Sequence, residues 1–92
     1  MERGVVYTLI YEKGFSRDLR AVRSDFKLLV KKKLEWLAEN ARTVGHQALR
    51  DPRFHNLFRL RVGDYRVFYK IDHQLQSIQV FSVKHRSDAY SK

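Results

Sequence analysis

The residues with the clearest chemical potential are five cations near the C-terminal end: Arg59, Arg61, Arg66, Lys84 and Arg86. Arginine carries a planar fork of N–H donors that grips phosphate oxygens in pairs, and lysine adds a compact charge. Tyr65, Phe68 and Tyr90 are interleaved with them and could stack on unpaired bases. His85 and Tyr90 are the groups nearby that could move a proton. Cations plus a proton carrier suit cleavage of RNA, in which the RNA's own 2′-OH attacks and the protein orients and neutralises the phosphate. The plainer reading stays open beside it. The cations splay into water against Asp64, Asp72 and Asp88, and the aromatics are ordinary strand residues.

These residues need a scaffold, and the surrounding pattern predicts one. In Leu57–Tyr69, LFRLRVGDYRVFY, Phe58, Leu60 and Val62 share one strand face while Arg59 and Arg61 share the other. Gly63-Asp64 reads as a hairpin turn. On the returning strand Tyr65, Val67, Tyr69 and Ile71 alternate with Arg66, Phe68 and Lys70. Asp72-His73-Gln74 is a second turn and Ser77–Lys84 a third strand, with His85–Tyr90 closing as a turn or short helix. Neighbouring strands lie about 5 Å apart, so cations on consecutive strands could converge.

Upstream, Val5–Tyr11 is β-branched and aromatic, and its nearly continuous apolar character predicts a strand flanked on both sides within a sheet. Gly14 should break it, and Ser16 can cap a helix. Phe15, Leu19, Val22, Phe26, Leu29, Val30, Leu34 and Leu37 then recur at steps of three and four, one helical stripe. Ser24-Asp25 is a second cap, so the segment is either two helices joined near Arg23–Asp25 or one long bent helix. Ala41–Asn56, with Pro52, reads as a loop. The expected fold is one α+β domain over residues 1–92: an N-terminal strand, the helices, then a three-stranded antiparallel meander, with the helices packed on one sheet face and the arginines on the other.

Composition narrows the function. Nineteen Lys and Arg against ten Asp and Glu give a formal charge of +9, which draws polyanions or an acidic protein partner. There is no cysteine, hence no disulfide scaffold, thiolate metal site or cysteine nucleophile. The four histidines, His46, His55, His73 and His85, have no metal-ligand spacing, and no metal or other cofactor is expected. No phosphate-cradling glycine loop, nucleophile elbow or paired carboxylate is present. No segment has the apolar length of a signal peptide or a membrane span, so a cytoplasmic protein without a membrane partner is expected.

The L-x-R-x-R-x-G-D-Y-R-x-x-Y run of Leu57–Tyr69 and the closing H-R-x-x-x-Y of His85–Tyr90 resemble the C-terminal signature of the RelE/ParE toxin superfamily, and the basic set resembles its RelE-like branch. The resemblance implies a toxin of a type II toxin–antitoxin pair that binds a cognate antitoxin. A RelE-like member is a ribosome-dependent, metal-independent mRNA endoribonuclease that stops translation, with ribosome and mRNA as its other partners. The ParE-like alternative poisons DNA gyrase, and a third possibility is an inactive relative that only binds its antitoxin. By resemblance, Arg59 and Arg61 grip RNA phosphate, with Lys70 of the next strand counted among the RNA-binding residues. Arg66 contacts the scissile phosphate, and Lys84 and Arg86 stabilise the transition state or leaving group. Tyr90 stacks on a base or transfers a proton, and His85 serves as base or acid in some members. No acidic general base stands in the motif.

Overall fold

Alternating apolar residues from Phe58 to His85 form the expected meander, and it is the centre of the molecule. The computed structural model describes residues 5–49 and 57–89, apart from the side chains of Gln47, Asp88 and Ala89. Along the chain come β1 (Thr8–Tyr11), α1 (Lys13–Leu19), α2 (Ser24–Glu39), β2 (Gln47–Ala48), β3 (Phe58–Val62), β4 (Tyr65–Asp72), β5 (Ser77–His85) and α3 (Arg86–Ala89). The five strands form one sheet in the order β1-β5-β4-β3-β2. The β3–β4–β5 pairings are antiparallel, and β1 runs parallel to β5.

One sheet face carries Val62, Tyr65, Val67, Tyr69, Ile78, Val80 and Val83, all buried. Against it pack Val30, Leu34, Leu37 and Ala38 of α2, spaced to form a single helical stripe. Tyr7, Phe15, Val22 and Ala41 join this core. Burial of a Val or Leu side chain contributes about 1.5–3 kcal/mol, so this one layer supplies most of the stabilisation a small domain can assemble.

The helical segment is two helices, with the break at 20–23. Leu29, placed on the inward stripe by its spacing, is instead 51% exposed. The α2 phase is set by Val30, Leu34 and Leu37, and a neighbour of Val30 points about 100° away from it. The start of α1 also differs from expectation. Glu12 N–H closes the β1–β5 ladder on the Val80 carbonyl at 3.0 Å, and Ser16 N–H already bonds Glu12 O at 3.2 Å. The helix therefore begins at Lys13. Ser16 lies inside it rather than capping it, and Gly14 is within the helix rather than a breaker. A Cβ on Gly14 would lie 2.8 Å from the Phe81 carbonyl oxygen, so glycine lets α1 lie directly beside β5.

The strand at 8–11 is an edge strand, not an interior one: among the described residues β5 is its sole neighbour. Its apolar character is divided between Tyr7, 2% exposed just ahead of it, and Ile10 and Tyr11, which stay 40% and 44% exposed. The loop expected at 41–56 contains β2, which pairs with β3 through Gln47 opposite Arg59 and Ala48 opposite Phe58. Pro52, assigned there to a turn, lies outside the described residues. Within the described part, His46 fastens the loop. Its Nε2–H donates to the Ala41 carbonyl at 2.8 Å, leaving Nδ1 to accept from the Tyr69 hydroxyl at 2.7 Å.

Two outcomes follow from this packing. Gly63 has φ +58, and a Cβ there would fall 2.5 Å from the Phe26 ring. Gly63→Ala should cost at least about 2 kcal/mol, the sum of left-handed strain and a core clash, read from urea unfolding. Burial also pushes the Tyr69 hydroxyl up to about 12. Its folded-state value is thus raised above the unfolded one, so its contribution is complete below pH 10 and disappears as pH climbs to about 12. Spectrophotometric titration should find a tyrosine component ionising near pH 12, and Tyr69→Phe should abolish that component.

Candidate nucleic-acid interface

Backbone pairing decides which cations meet. Arg61 lies opposite Arg66, and Arg66 lies opposite Lys84. Directly paired residues in antiparallel strands share a face, with Cα atoms about 4.5–5.5 Å apart. Arg61, Arg66 and Lys84 therefore form a row across β3, β4 and β5, on the face turned away from the core. Phe68 and Ser82 lie in the next row, opposite Arg59.

Arg66 is the unusual member. It is only 4% exposed, the sole charged residue among the buried ones described. Its Nη1 donates to the Gly63 carbonyl at 3.1 Å and the Tyr65 carbonyl at 3.0 Å. Its Nε is buried with no hydrogen-bond partner among the described residues, and no carboxylate is paired with the guanidinium. A buried donor left unsatisfied costs about 1–3 kcal/mol, more when it carries charge. The β3–β4 turn thus holds a guanidinium in the middle of the row with no carboxylate beside it among the described residues, and its charge draws anions to that face.

Lys84 does have an anionic neighbour. Its Nζ lies 3.3 Å from Oδ1 of Asp18 on α1, whose side chain is 11% exposed. The sequence reading had the aspartates of the meander and its closing segment in that role. Asp18 escaped it because β1 brings α1 alongside β5, a placement that depends on parallel pairing between residues far apart in the chain.

The other expected site residues are distributed differently. His85 pairs with Tyr65, and the two rings meet edge-on at 5.4 Å between centroids, so His85 shares the core-side face and not that of Lys84. Its Nδ1 accepts from the Ser87 N–H at 3.3 Å. Tyr65 is 6% exposed and packs on Phe26, which withdraws it from base stacking. Arg86 opens α3 with an exposed side chain, and its N–H ties that helix to the Asp64 carbonyl at 2.7 Å. Lys70 is exposed on the same face as Arg66 but two rows away, with Nζ 5.6 Å from the Phe81 ring centroid. Tyr90 lies outside the described residues.

A second feature was not visible in the sequence. Arg59 and Arg61 help to line a cleft of about 270 Å³ between β3 and α2, together with Lys33, Trp36, Leu37 and Val44. Trp36 is 41% exposed, with Lys33 Nζ 4.4 Å from its ring centroid. Among the described residues no three His, Asp or Glu converge as a metal-binding group, and no helix is long and apolar enough to cross a membrane.

The family comparison fits this geometry. The family model for the ParE toxin of type II toxin–antitoxin systems (parDE) matches residues 9–90. The chain belongs to the ParE toxin family. Solved structures place it in the wider RelE/ParE toxin superfamily. The toxin–antitoxin complex RelBE2 from Mycobacterium tuberculosis matches with 26% identity and TM-score 0.79, over 95% of this chain and all of the other. The RelE–RelB complex from Pyrococcus horikoshii matches with 20% identity and TM-score 0.69, over 88% of this chain and 96% of the other. A chain of the chromosomal ParDE system from P. aeruginosa matches with 10% identity and TM-score 0.67, over 89% and 98%. No curated protein matches the sequence. The toxin fold is common to all of these structures.

Were the row a preformed anion site, it would have a direct signature. Phosphate or sulfate should raise the melting temperature beyond what chloride does at equal ionic strength, since a ligand of the native state alone stabilises it by mass action. Arg66→Met should abolish that specific increment while leaving the anion-free protein as stable or more so, because an uncompensated buried charge is removed.

Proposed function

We propose that this toxin is a ribosome-dependent endoribonuclease that cleaves mRNA without a metal and so blocks translation. The observation carrying the proposal is the buried Arg66, its guanidinium without a carboxylate partner among the described residues, flanked in one row by Arg61 and Lys84. That arrangement suits a phosphate whose charge increases during reaction. The RNA 2′-OH gives its proton to solvent as its oxygen bonds to phosphorus, the bond to the 5′-oxygen breaks, and that oxygen leaves with a proton, so that a 2′,3′-cyclic phosphate remains. Arg66 and Lys84 stabilise the equatorial oxygens of the transition state. Arg61, Arg59 and the more distant Lys70 hold the flanking backbone. Arg86, on the exposed first turn of α3, assists the leaving group. Tyr90 is the proton carrier of this proposal; His85, on the opposite sheet face from the row, takes no part in the step.

The partner proposed is an antitoxin. Relatives of this fold are solved as RelB–RelE complexes. A charge of +9 and exposed Val6, Leu28, Leu29 and Leu75 suit an amphipathic, acidic partner chain. Both partners are met in the cytoplasm.

A second reading has its own support, because the matching family model carries the ParE name. There the same surface would hold DNA gyrase, and the arginine row would bind without doing chemistry.

The two readings separate cleanly. Expression without antitoxin should arrest growth, and purified toxin added to ribosomes carrying a defined message should cleave it. Arg66→Ala should lower the cleavage rate about 100-fold or more and relieve the arrest while the protein still folds. Inhibition of gyrase supercoiling with intact mRNA would select the second reading, and absence of any growth effect would reduce the protein to an antitoxin binder.

A further inference from the structure

Asp18 has no role in the site described so far, yet it is the anion that touches it. The residue sits in the last turn of α1, a helix that runs on from β1 beside β5. Gly14 gives this helix its close approach, with the Phe81 carbonyl occupying the space a side chain would need. Asp18 Oδ1 then reaches Lys84 Nζ at 3.3 Å, while Arg17 Nε of the same helix, on a side chain 75% exposed, is more distant at 3.8 Å. Oδ2 is buried with no hydrogen-bond partner among the described residues.

Two roles for this carboxylate can be weighed. A proton acceptor for the RNA 2′-OH must be within hydrogen-bond reach of it. Oδ2 has less than 1 Å² accessible, so a substrate hydroxyl does not reach it, and Oδ1 is already engaged by Lys84. The other role fits. Three cations in one row repel one another, and Lys84 has a long side chain with many rotamers to lose. A carboxylate held on a packed helix beside it fixes one rotamer and offsets part of the repulsion before any RNA arrives.

We propose that Asp18 is a positioning residue of the phosphate site: an internal counter-ion that holds the Lys84 ammonium in the row with Arg66. The inference rests on the reading of that row as a phosphate site, and it deepens that reading. Asp18 does not touch the reacting atoms. It acts through Lys84 alone, and bound phosphate takes over part of its task.

A double-mutant cycle tests this in the full chain. Asp18→Asn, nearly isosteric, should lower the melting temperature by about 5 °C in low salt. Inorganic phosphate should raise the melting temperature of this variant more than that of the parent. In a Lys84→Met background the same change should be neutral or stabilising, because the carboxylate has lost its cation. Asp18→Glu should recover part of the loss. In cleavage on programmed ribosomes, Asp18→Asn should depress kcat by up to about 100-fold with KM little changed, and only when Lys84 is present. An equal loss of stability with and without Lys84 would overturn the proposal, as would an unchanged phosphate increment. If the parent protein cleaves no RNA at all, the endoribonuclease reading fails, and the melting cycle with phosphate still decides the role of Asp18.

Discussion

The antiparallel pairing of β4 with its two neighbours is the constraint on which the molecule depends. It delivers Val67 and Tyr69 into the core, where α2 covers them, and by the same alternation it turns Arg66 to the opposite face between Arg61 and Lys84. A slip of one residue would exchange those sets, burying the cations under α2 and exposing the apolar side chains. The stability of the core and the geometry of the basic row are therefore one choice of register. An irregularity between Phe68 and Tyr69 accommodates Phe81 in β5 without disturbing either end.

Electrostatics divides that row unevenly. Arg66 is enclosed and bonded to carbonyls. Lys84 is paired with a carboxylate carried by a different element. Arg61 is exposed and also lines the cleft beside Trp36. One cation is held rigid by burial, one by a partner and one is left to adapt. That gradation suits a surface on which a single phosphate must be fixed while the flanking chain varies.

Much of this was legible in the sequence, and the exceptions share a cause. Alternation between Phe58 and Lys84 revealed the meander and its faces, and left convergence of Arg61, Arg66 and Lys84 open, because period two and short turns are local properties. The joint near Ser24 was readable only as one of two alternatives, since the stripe itself runs on unbroken. The edge position of β1, the start of α1 at Lys13 and the contact of Asp18 with Lys84 were not. Each depends on a parallel pairing across most of the chain, and composition within β1 does not say which strand it will meet. His85 shows a subtler limit. Proximity to Lys84 in the motif suggests a common site, yet adjacent strand residues point to opposite faces, and its ring meets Tyr65 instead.

That long-range pairing has a consequence for how the toxin comes into being. Thr8 joins Ser77, and Asp18 joins Lys84, so the first strand and helix wait for the last strand before they dock. Contacts closing such large loops form late and slowly, whereas the β3–β4 hairpin can form on its own timescale. On a translating ribosome, a chain with β5 still inside the exit tunnel has neither Lys84 nor its counter-ion in place. The order of assembly thereby delays a complete basic row until nearly the whole chain has emerged, and a truncated chain carries the hairpin without the site.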